Sequence, residues 1–172
     1  EPDPGRRAQL YVTNNNNGNI TVYDVTNEET KTLVTSNTAA EGIYYDSESD
    51  IVVQASRSGS TLDAYSEVSD TEDQEVVTAL INSSADLTSP RELAVRNNSY
   101  IVSDNGSNQF YVYTFDGSDF TLNNTFDIPF AVWGITFKGN DLYAVVDQEN
   151  ELAVFTDFLS NQTDGLLNPS KT

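Results

Sequence analysis

The alternation of hydrophobic and polar residues is clearest between residues 10 and 25, which read LYVTNNNNGNITVYDV. A hydrophobic run is followed by a polar turn, and then by a run in which hydrophobic and polar residues alternate. Such alternation places successive side chains on opposite faces of a strand. Asparagines followed by Gly18 suit a tight turn because they tolerate a left-handed backbone. The segment therefore predicts a β-hairpin.

The same hairpin pattern occurs three more times along the chain. In each copy the second strand ends at an aromatic residue, and these residues are Tyr23, Tyr65, Tyr113 and Phe155, spaced by 42, 48 and 42 residues. A period of about 40–50 residues made only of strands is typical of β-propeller blades. A β-sandwich with regularly spaced hairpins is the alternative. Because a polar turn lies at the same place in all four copies, we favour the propeller.

We expect an all-β fold with about four four-stranded antiparallel blades, at residues 8–37, 38–84, 85–129 and 130–172, after a proline-rich tether at residues 1–7. The outer strand of the second blade is predicted at residues 75–81, a segment that is also compatible with two helical turns. Trp133 is interpreted as core or channel packing rather than as a ligand platform. The first blade lacks an inner strand, and residues 166–169 suit that position poorly because proline cannot donate to a strand ladder. We therefore expect part of a larger propeller, completed by further blades or by another chain across open strand edges.

Two segments of the first copy carry a family resemblance. Residues 11–14, YVTN, and residues 19–26, NITVYDVT, resemble the YVTN-type repeat of surface-layer-like and lactonase-like propellers, which is related in style to NHL repeats. The later copies keep the hydrophobic positions of this repeat but not its residue identities. Residues 40–42 and 46–50 replace the Pro-x-Gly and Pro-Asp-Gly elements of that family. The resemblance implies a propeller fold, but propellers host many unrelated activities.

The composition excludes several classes of function. The chain has 27 acidic and 8 basic residues, a net charge of −19, and neither cysteine nor histidine. An acidic surface repels nucleic acid and anionic membranes, and suits either a salt-rich or calcium-containing exterior or simply a soluble protein. Disulfides, thiolate chemistry, Ser-His-Asp catalysis and the usual zinc sites are excluded. No apolar run reaches the roughly 18 residues of a membrane span.

The candidate binding residues lie in turns and links that a propeller gathers on one face. They are Asn14, Asn16, Glu41, Arg57, Arg91, Asp104, Asn105, Asp147 and Glu149. Carboxylate and amide oxygens are suitable ligands for Ca²⁺, so one interpretation is a polar or calcium-binding rim. The alternative is turn chemistry, since tight turns require asparagine, aspartate and glycine. No metal ligand and no catalytic residue is assigned.

These features predict an exported surface or extracellular protein that acts as a non-catalytic binding or assembly module. Its partner would be a protein or glycan at the cell surface, and residues 1–7 would join the domain to an anchor. The alternative is an enzyme, namely a lactonase-like or other carboxylate- or metal-dependent hydrolase with its site in the central channel.

Overall fold

The computed structural model describes residues 8–79, 81–83, 86–147, 151–160 and 164–170. Apart from one short 3-10 helix at Phe158–Ser160, the regular elements in these ranges are β-strands. The expected all-β fold is therefore confirmed. In the same ranges, no helix is long and apolar enough to cross a membrane. The predicted tether at residues 1–7 lies outside the described residues, and the predicted blade boundaries remain predictions.

The strands form four sheets that follow one another along the chain. Sheet 1 contains β1 (Gln9–Thr13), β2 (Ile20–Asp24) and β3 (Glu29–Leu33). Sheet 2 contains β4 (Ala40–Asp46), β5 (Ile51–Ser56), β6 (Thr61–Ser66) and β7 (Ile81–Ser83). Sheet 3 contains β8 (Pro90–Arg96), β9 (Ser99–Asp104), β10 (Gln109–Phe115) and β11 (Phe120–Asp127). Sheet 4 contains β12 (Val132–Lys138), β13 (Asp141–Val146) and β14 (Leu152–Phe155). Consecutive strands within each sheet pair antiparallel, as in a propeller blade.

Residues that accept a left-handed backbone form the turns between strands. Asn97 and Asn98 both have positive φ, at 49° and 58°, and they alone join β8 to β9. Two such residues give the hairpin turn whose twist matches that of the strands. Gly18 has φ 73°, and a Cβ atom there would lie 2.2 Å from the carbonyl oxygen of Asn37. Only glycine therefore fits where the first hairpin meets the link to sheet 2.

The hydrophobic core consists of three layers, one between each pair of consecutive sheets. Ile20 and Val22 of sheet 1 pack with Val52 and Tyr65 of sheet 2. The layers between sheets 2 and 3 and between sheets 3 and 4 are built in the same way. Tyr65, Tyr113 and Phe155, the aromatic residues of the repeat, are each at most 2% exposed. Each of them faces the preceding sheet, so the aromatic spacing marks the interfaces between sheets.

The prediction of an outer strand at residues 75–81 is wrong. The outer strand of sheet 2 is β7, and residues 67–77, here called the first return segment, lie along sheet 1 instead. Val76 forms a parallel bridge with Val34. The backbone N–H of Val34 donates to the carbonyl oxygen of Glu75 at 2.8 Å, and the backbone N–H of Val77 donates to the carbonyl oxygen of Val34 at 2.9 Å. After β6 the chain thus runs back to the outer edge of the preceding sheet before β7 forms.

The chain repeats this route after β14. Residues 157–160 and 164–167 form the second return segment, in which β15 (Gly165–Leu166) pairs in parallel with β11 of sheet 3. The backbone N–H of Leu167 donates to the carbonyl oxygen of Asp127 at 2.8 Å. The segment is therefore at the outer edge of sheet 3 and not beside β1. Among the described residues, the strand partner of β1 is β2.

Candidate functional site

One position on three neighbouring inner strands carries the residues with the most distinctive chemistry. Glu41 on β4, Arg91 on β8 and Trp133 on β12 each lie where the pairing register shifts. Such bulges redirect a side chain away from the regular strand direction. The three side chains form an inner row across sheets 2, 3 and 4.

The members of the inner row are in direct contact. Arg91 Nη1 donates to Glu41 Oε1 at 2.7 Å and to Glu41 Oε2 at 3.0 Å. The guanidinium carbon of Arg91 lies 4.1 Å from the centre of the Trp133 ring, which is a cation–π contact. The side chains of Arg91 and Glu41 are only 11% and 16% exposed, whereas Trp133 is 43% exposed. An ion pair and an exposed aromatic surface are thus fixed next to each other.

A second row of residues lies in the turns that join the two strands of each hairpin, after β1, β5, β9 and β13. Three of these residues directly follow their strand, namely Arg57 after β5, Asn105 after β9 and Asp147 after β13. The fourth, Asn15, is the second residue after β1. We call the four residues the outer row. In three sheets the backbone N–H of this residue donates to the link that enters the sheet: Arg57 to Ala39, Asn105 to Ser89 and Asp147 to Ala131. The turns and the links therefore do lie on one face, as the sequence predicts.

Side chains of the outer row contact one another or the inner row. Asn15 Nδ2 donates to Glu41 Oε1 at 2.9 Å, and Arg57 Nε lies 3.3 Å from the same oxygen. Asn105 Nδ2 lies 3.3 Å from Asp147 Oδ2. Glu41 therefore interacts with three donors from three different sheets. We call the inner and outer rows together the rim cluster.

A second carboxyl group lies directly beside the ion pair. Burial raises the pKa of Glu92, and the negative charge of Glu41 raises this pKa further. The N–H of Leu93 opposes the shift by donating to Glu92 Oε1 at 3.0 Å.

The structure unites some of the predicted residues and gives others local roles. Glu41, Arg57, Arg91, Asn105 and Asp147 belong to the rim cluster. Asn14 Oδ1 accepts from the backbone N–H of Asn16 at 3.0 Å, so this pair shapes the turn. Asp104 is 1% exposed and accepts from the N–H groups of Ser89, Gly106 and Ser107, which fixes a link and a turn. Glu149 lies outside the described residues.

Two residues of the rim cluster, Trp133 and Asn15, are not among the binding residues predicted from the sequence. Trp133 is interpreted there as core or channel packing rather than as a ligand platform; its 43% exposure contradicts a core position, and channel packing stays a prediction. Asn15 lies between the two asparagines that were selected. The signal for Trp133 is its position, since it occupies in VWG the place that Glu41 occupies in AEG and Arg91 in PRE. Within the described part of the chain, no three acidic side chains gather as metal ligands.

A buried polar network joins the same end of sheets 1 and 2. Asn37 Nδ2 lies 3.1 Å from Gln54 Oε1, 2.6 Å from Asp63 Oδ2 and 2.9 Å from the Tyr65 hydroxyl. Gln54 Nε2 donates to the Gly18 oxygen at 3.0 Å. Burial raises the pKa of Asp63, while hydrogen bonds from Thr61 and Asn37 oppose that rise. We call these residues the Asn37 network.

Comparison with known proteins supports the fold and leaves the family open. No family model and no curated protein matches the sequence. A chain in the crystal structure of a nidogen–laminin complex is 14% identical over 91% of this chain and 58% of that one, with a TM-score of 0.65. The computationally designed Ika4 protein is 12% identical over 87% and 86% of the two chains, with a TM-score of 0.59. A chain of Kuenenia stuttgartiensis hydrazine synthase is 9% identical over 86% and 42%, with a TM-score of 0.68. This chain therefore spans little more than half of the nidogen-complex chain. Since nidogen is a β-propeller protein, these likenesses make the fold propeller-like.

Proposed function

We propose that this protein is an exported, non-catalytic binding or assembly module that holds its ligand at the rim cluster. The observation that carries the proposal is the inner row, in which Glu41, Arg91 and Trp133 lie side by side on three neighbouring strands. Side chains fixed on strands lose little freedom when a ligand binds, so pre-organisation of this kind favours affinity.

The chemistry of the cluster suits recognition better than proton transfer. Glu41 already accepts hydrogen bonds from Arg91 and Asn15 and forms an ion pair with Arg57, so its carboxylate is held in place by three partners. Trp133 offers an exposed ring beside a guanidinium, and tryptophan and arginine dominate the energetics of binding surfaces. We infer that the ligand is a protein or glycan of the cell surface, which a flat aromatic ring and flanking polar groups can hold. Ca²⁺ at the outer-row oxygens of Asn105 and Asp147 is an extension of this proposal.

The wider setting belongs to the same proposal. Sheets 2 and 3, with four consecutive strands each, support four-stranded blades of a larger propeller, and residues 11–14 and 19–26 support the YVTN type. A net charge of −19 without cysteine supports an exported protein in a salt-containing exterior, with residues 1–7 as the tether. Further blades or another chain would complete the ring.

Trp133 is the only tryptophan of the chain, so its fluorescence reports on the site directly. We expect saturable changes in emission when neutral and acidic oligosaccharides, cell-surface peptides or CaCl₂ are titrated, with one probe class responding. Arg91→Ala should weaken that binding by roughly tenfold or more, since tenfold corresponds to only about 1.4 kcal/mol. Arg96→Ala is the matched control, because Arg96 lies on the same strand and donates instead to Asn140.

The hydrolase alternative is favoured by one observation, the half-buried Glu92 carboxyl group beside Glu41. A carboxyl group whose pKa is raised can act as a general acid. Assays of lactone and phosphoester hydrolysis with Ca²⁺, Mn²⁺ or Mg²⁺ address this alternative. Turnover that disappears in both Glu41→Gln and Glu92→Gln would overturn the binding proposal.

A further inference from the structure

The two terminal sheets expose residues that are buried at the same position in every other sheet. On the first strand of each hairpin (β1, β5, β9 and β13), one residue pairs with the aromatic residue of the repeat. These residues are Leu10, Val52, Tyr100 and Leu142. Val52, Tyr100 and Leu142 are at most 3% exposed because each packs on the preceding sheet, whereas Leu10 is 56% exposed. Sheet 1 thus has an uncovered leading face, formed by Leu10, Val12 and Tyr23.

The opposite face of sheet 4 shows the same contrast. Three residues before each aromatic of the repeat stand Ile20, Leu62, Phe110 and Leu152. Ile20, Leu62 and Phe110 are fully buried against the following sheet, whereas Leu152 is 48% exposed. Its pairing partner Val145 is 50% exposed. Sheet 4 thus has an uncovered trailing face, formed by Tyr143, Val145, Leu152 and Val154.

Each of the three internal interfaces joins the trailing face of one sheet to the leading face of the next. Among the described residues there is one uncovered face of each kind, and both are formed by the same types of apolar side chain as the internal layers. We propose that a second copy of this chain covers them, with sheet 4 of each copy packed on sheet 1 of the other. A head-to-tail contact closes into a ring when its rotation permits, and in a ring of two copies both faces of each copy are covered.

This inference rests on the assembly part of the proposed function, but its test is independent of ligand binding at the rim cluster. Each copy has a net charge of −19, so the copies repel one another at low salt. Added NaCl screens that repulsion, and dimer formation should strengthen between 0.05 and 0.5 M NaCl, concentrations at which the Debye length falls from roughly 14 to 4 Å.

Sedimentation equilibrium of the whole chain measures the association directly. We expect a mass of twice 18.9 kDa at high salt. Leu10→Asp and Leu152→Asp should each raise the dissociation constant by roughly 100-fold, because each would bury an unpaired carboxylate. Val76→Asp and Leu166→Asp are matched controls: these residues are 72% and 68% exposed, lie on the return segments, and should leave the dimer intact.

A mixing experiment distinguishes the head-to-tail contact from any symmetric contact of one face with itself. Leu10→Asp keeps an intact trailing face, and Leu152→Asp keeps an intact leading face. An equimolar mixture of the two variants should therefore associate more strongly than either variant alone, through one restored interface. Thermal melts of the separate variants check that both remain folded, as expected for exposed positions.

Three results would overturn the inference. The first is a wild-type chain that stays at 18.9 kDa at every salt and protein concentration, which would leave the two faces to further sheets or to a different protein. The second is a dimer that neither Leu10→Asp nor Leu152→Asp weakens. The third is a mixture of the two variants that associates no better than its components.

Discussion

The first half of the molecule, sheets 1 and 2, and the second half, sheets 3 and 4, share one architecture and differ in chemistry. Tyr23 and Tyr113 are 90 residues apart, as are Tyr65 and Phe155. In each half the chain leaves the second sheet and returns to the outer edge of the first. Thr32 N donates to Asp73 Oδ1 at 2.8 Å, and Thr125 N donates to Asp164 Oδ1 at 2.7 Å. The structural repeat is therefore a pair of sheets with its return segment.

The two halves differ in the core layer between their two sheets, which is partly polar in the first half and aromatic in the second. In the first half Gln54 and Asp63 are buried, and the Asn37 network satisfies most of their polar atoms. In the second half the corresponding residues are Ala144 and Ala153, and phenylalanines fill the layer. The ring centres of Phe110 and Phe155 are 5.3 Å apart, and those of Phe126 and Phe158 are 5.4 Å apart, in edge-to-face contacts. The same backbone thus accepts a hydrogen-bonded layer or an aromatic one, provided that buried polar groups find partners.

The largest expected effect concerns the residue that anchors each return segment, Val68 in the first half and Phe158 in the second. Both are buried, at 0% and 2% exposure. Phe158→Ala should lower the free energy of unfolding by about 3–5 kcal/mol, and Val68→Ala by about 2 kcal/mol, because phenylalanine leaves the larger cavity. Urea unfolding of both variants measures these values. Equal losses would show that the aromatic layer adds nothing over the polar layer.

A smaller effect concerns pH and should arise from the layer of the first half, since Ala153 occupies the place of Asp63 in the layer of the second half. The pKa of Asp63 is raised by burial in the folded state. A carboxyl group with a raised folded pKa stabilises the protein below its unfolded pKa of about 3.9, and this contribution is lost as pH rises through the folded pKa. The unfolding free energy of the wild type minus that of Asp63→Asn should therefore fall as pH increases above 4. Urea unfolding from pH 3 to pH 8 provides the measurement; a difference that grows with pH would contradict the prediction.

The smallest expected effect is on the two aspartates that hold the return segments. Asp73→Ala and Asp164→Ala should each cost about 1 kcal/mol or less, because the hydrogen bonds are exposed. Amide hydrogen exchange at Thr32 and Thr125 reports on each half separately. Each substitution should speed exchange in its own half alone. If either variant accelerates both amides, the two halves do not act as separate units.

The local pattern of the sequence was sufficient to predict the hairpins, the aromatic repeat and the placement of turns and links on one face. It also selected Glu41, Arg57 and Arg91, which the structure brings together. It missed Trp133, because nothing local distinguishes a tryptophan in a core from one at a bulge. It also missed the return segments. The spacing of 48 residues between Tyr65 and Tyr113 indicates an insertion, but not the sheet on which that insertion lies.

Strand formation follows from the sequence because alternation acts between a residue and its near neighbours. The segment that pairs with the edge of a sheet does not follow from this local pattern. It depends on which edges and faces remain uncovered after the hairpins have formed. Val34 and Val76 are 42 residues apart, and Asp127 and Leu166 are 39 apart. Contacts over such distances leave no periodic signature in the chain. For this protein the sequence therefore determined the hairpins, and the tertiary structure determined the pairing of the sheets and the assembly of the rim cluster.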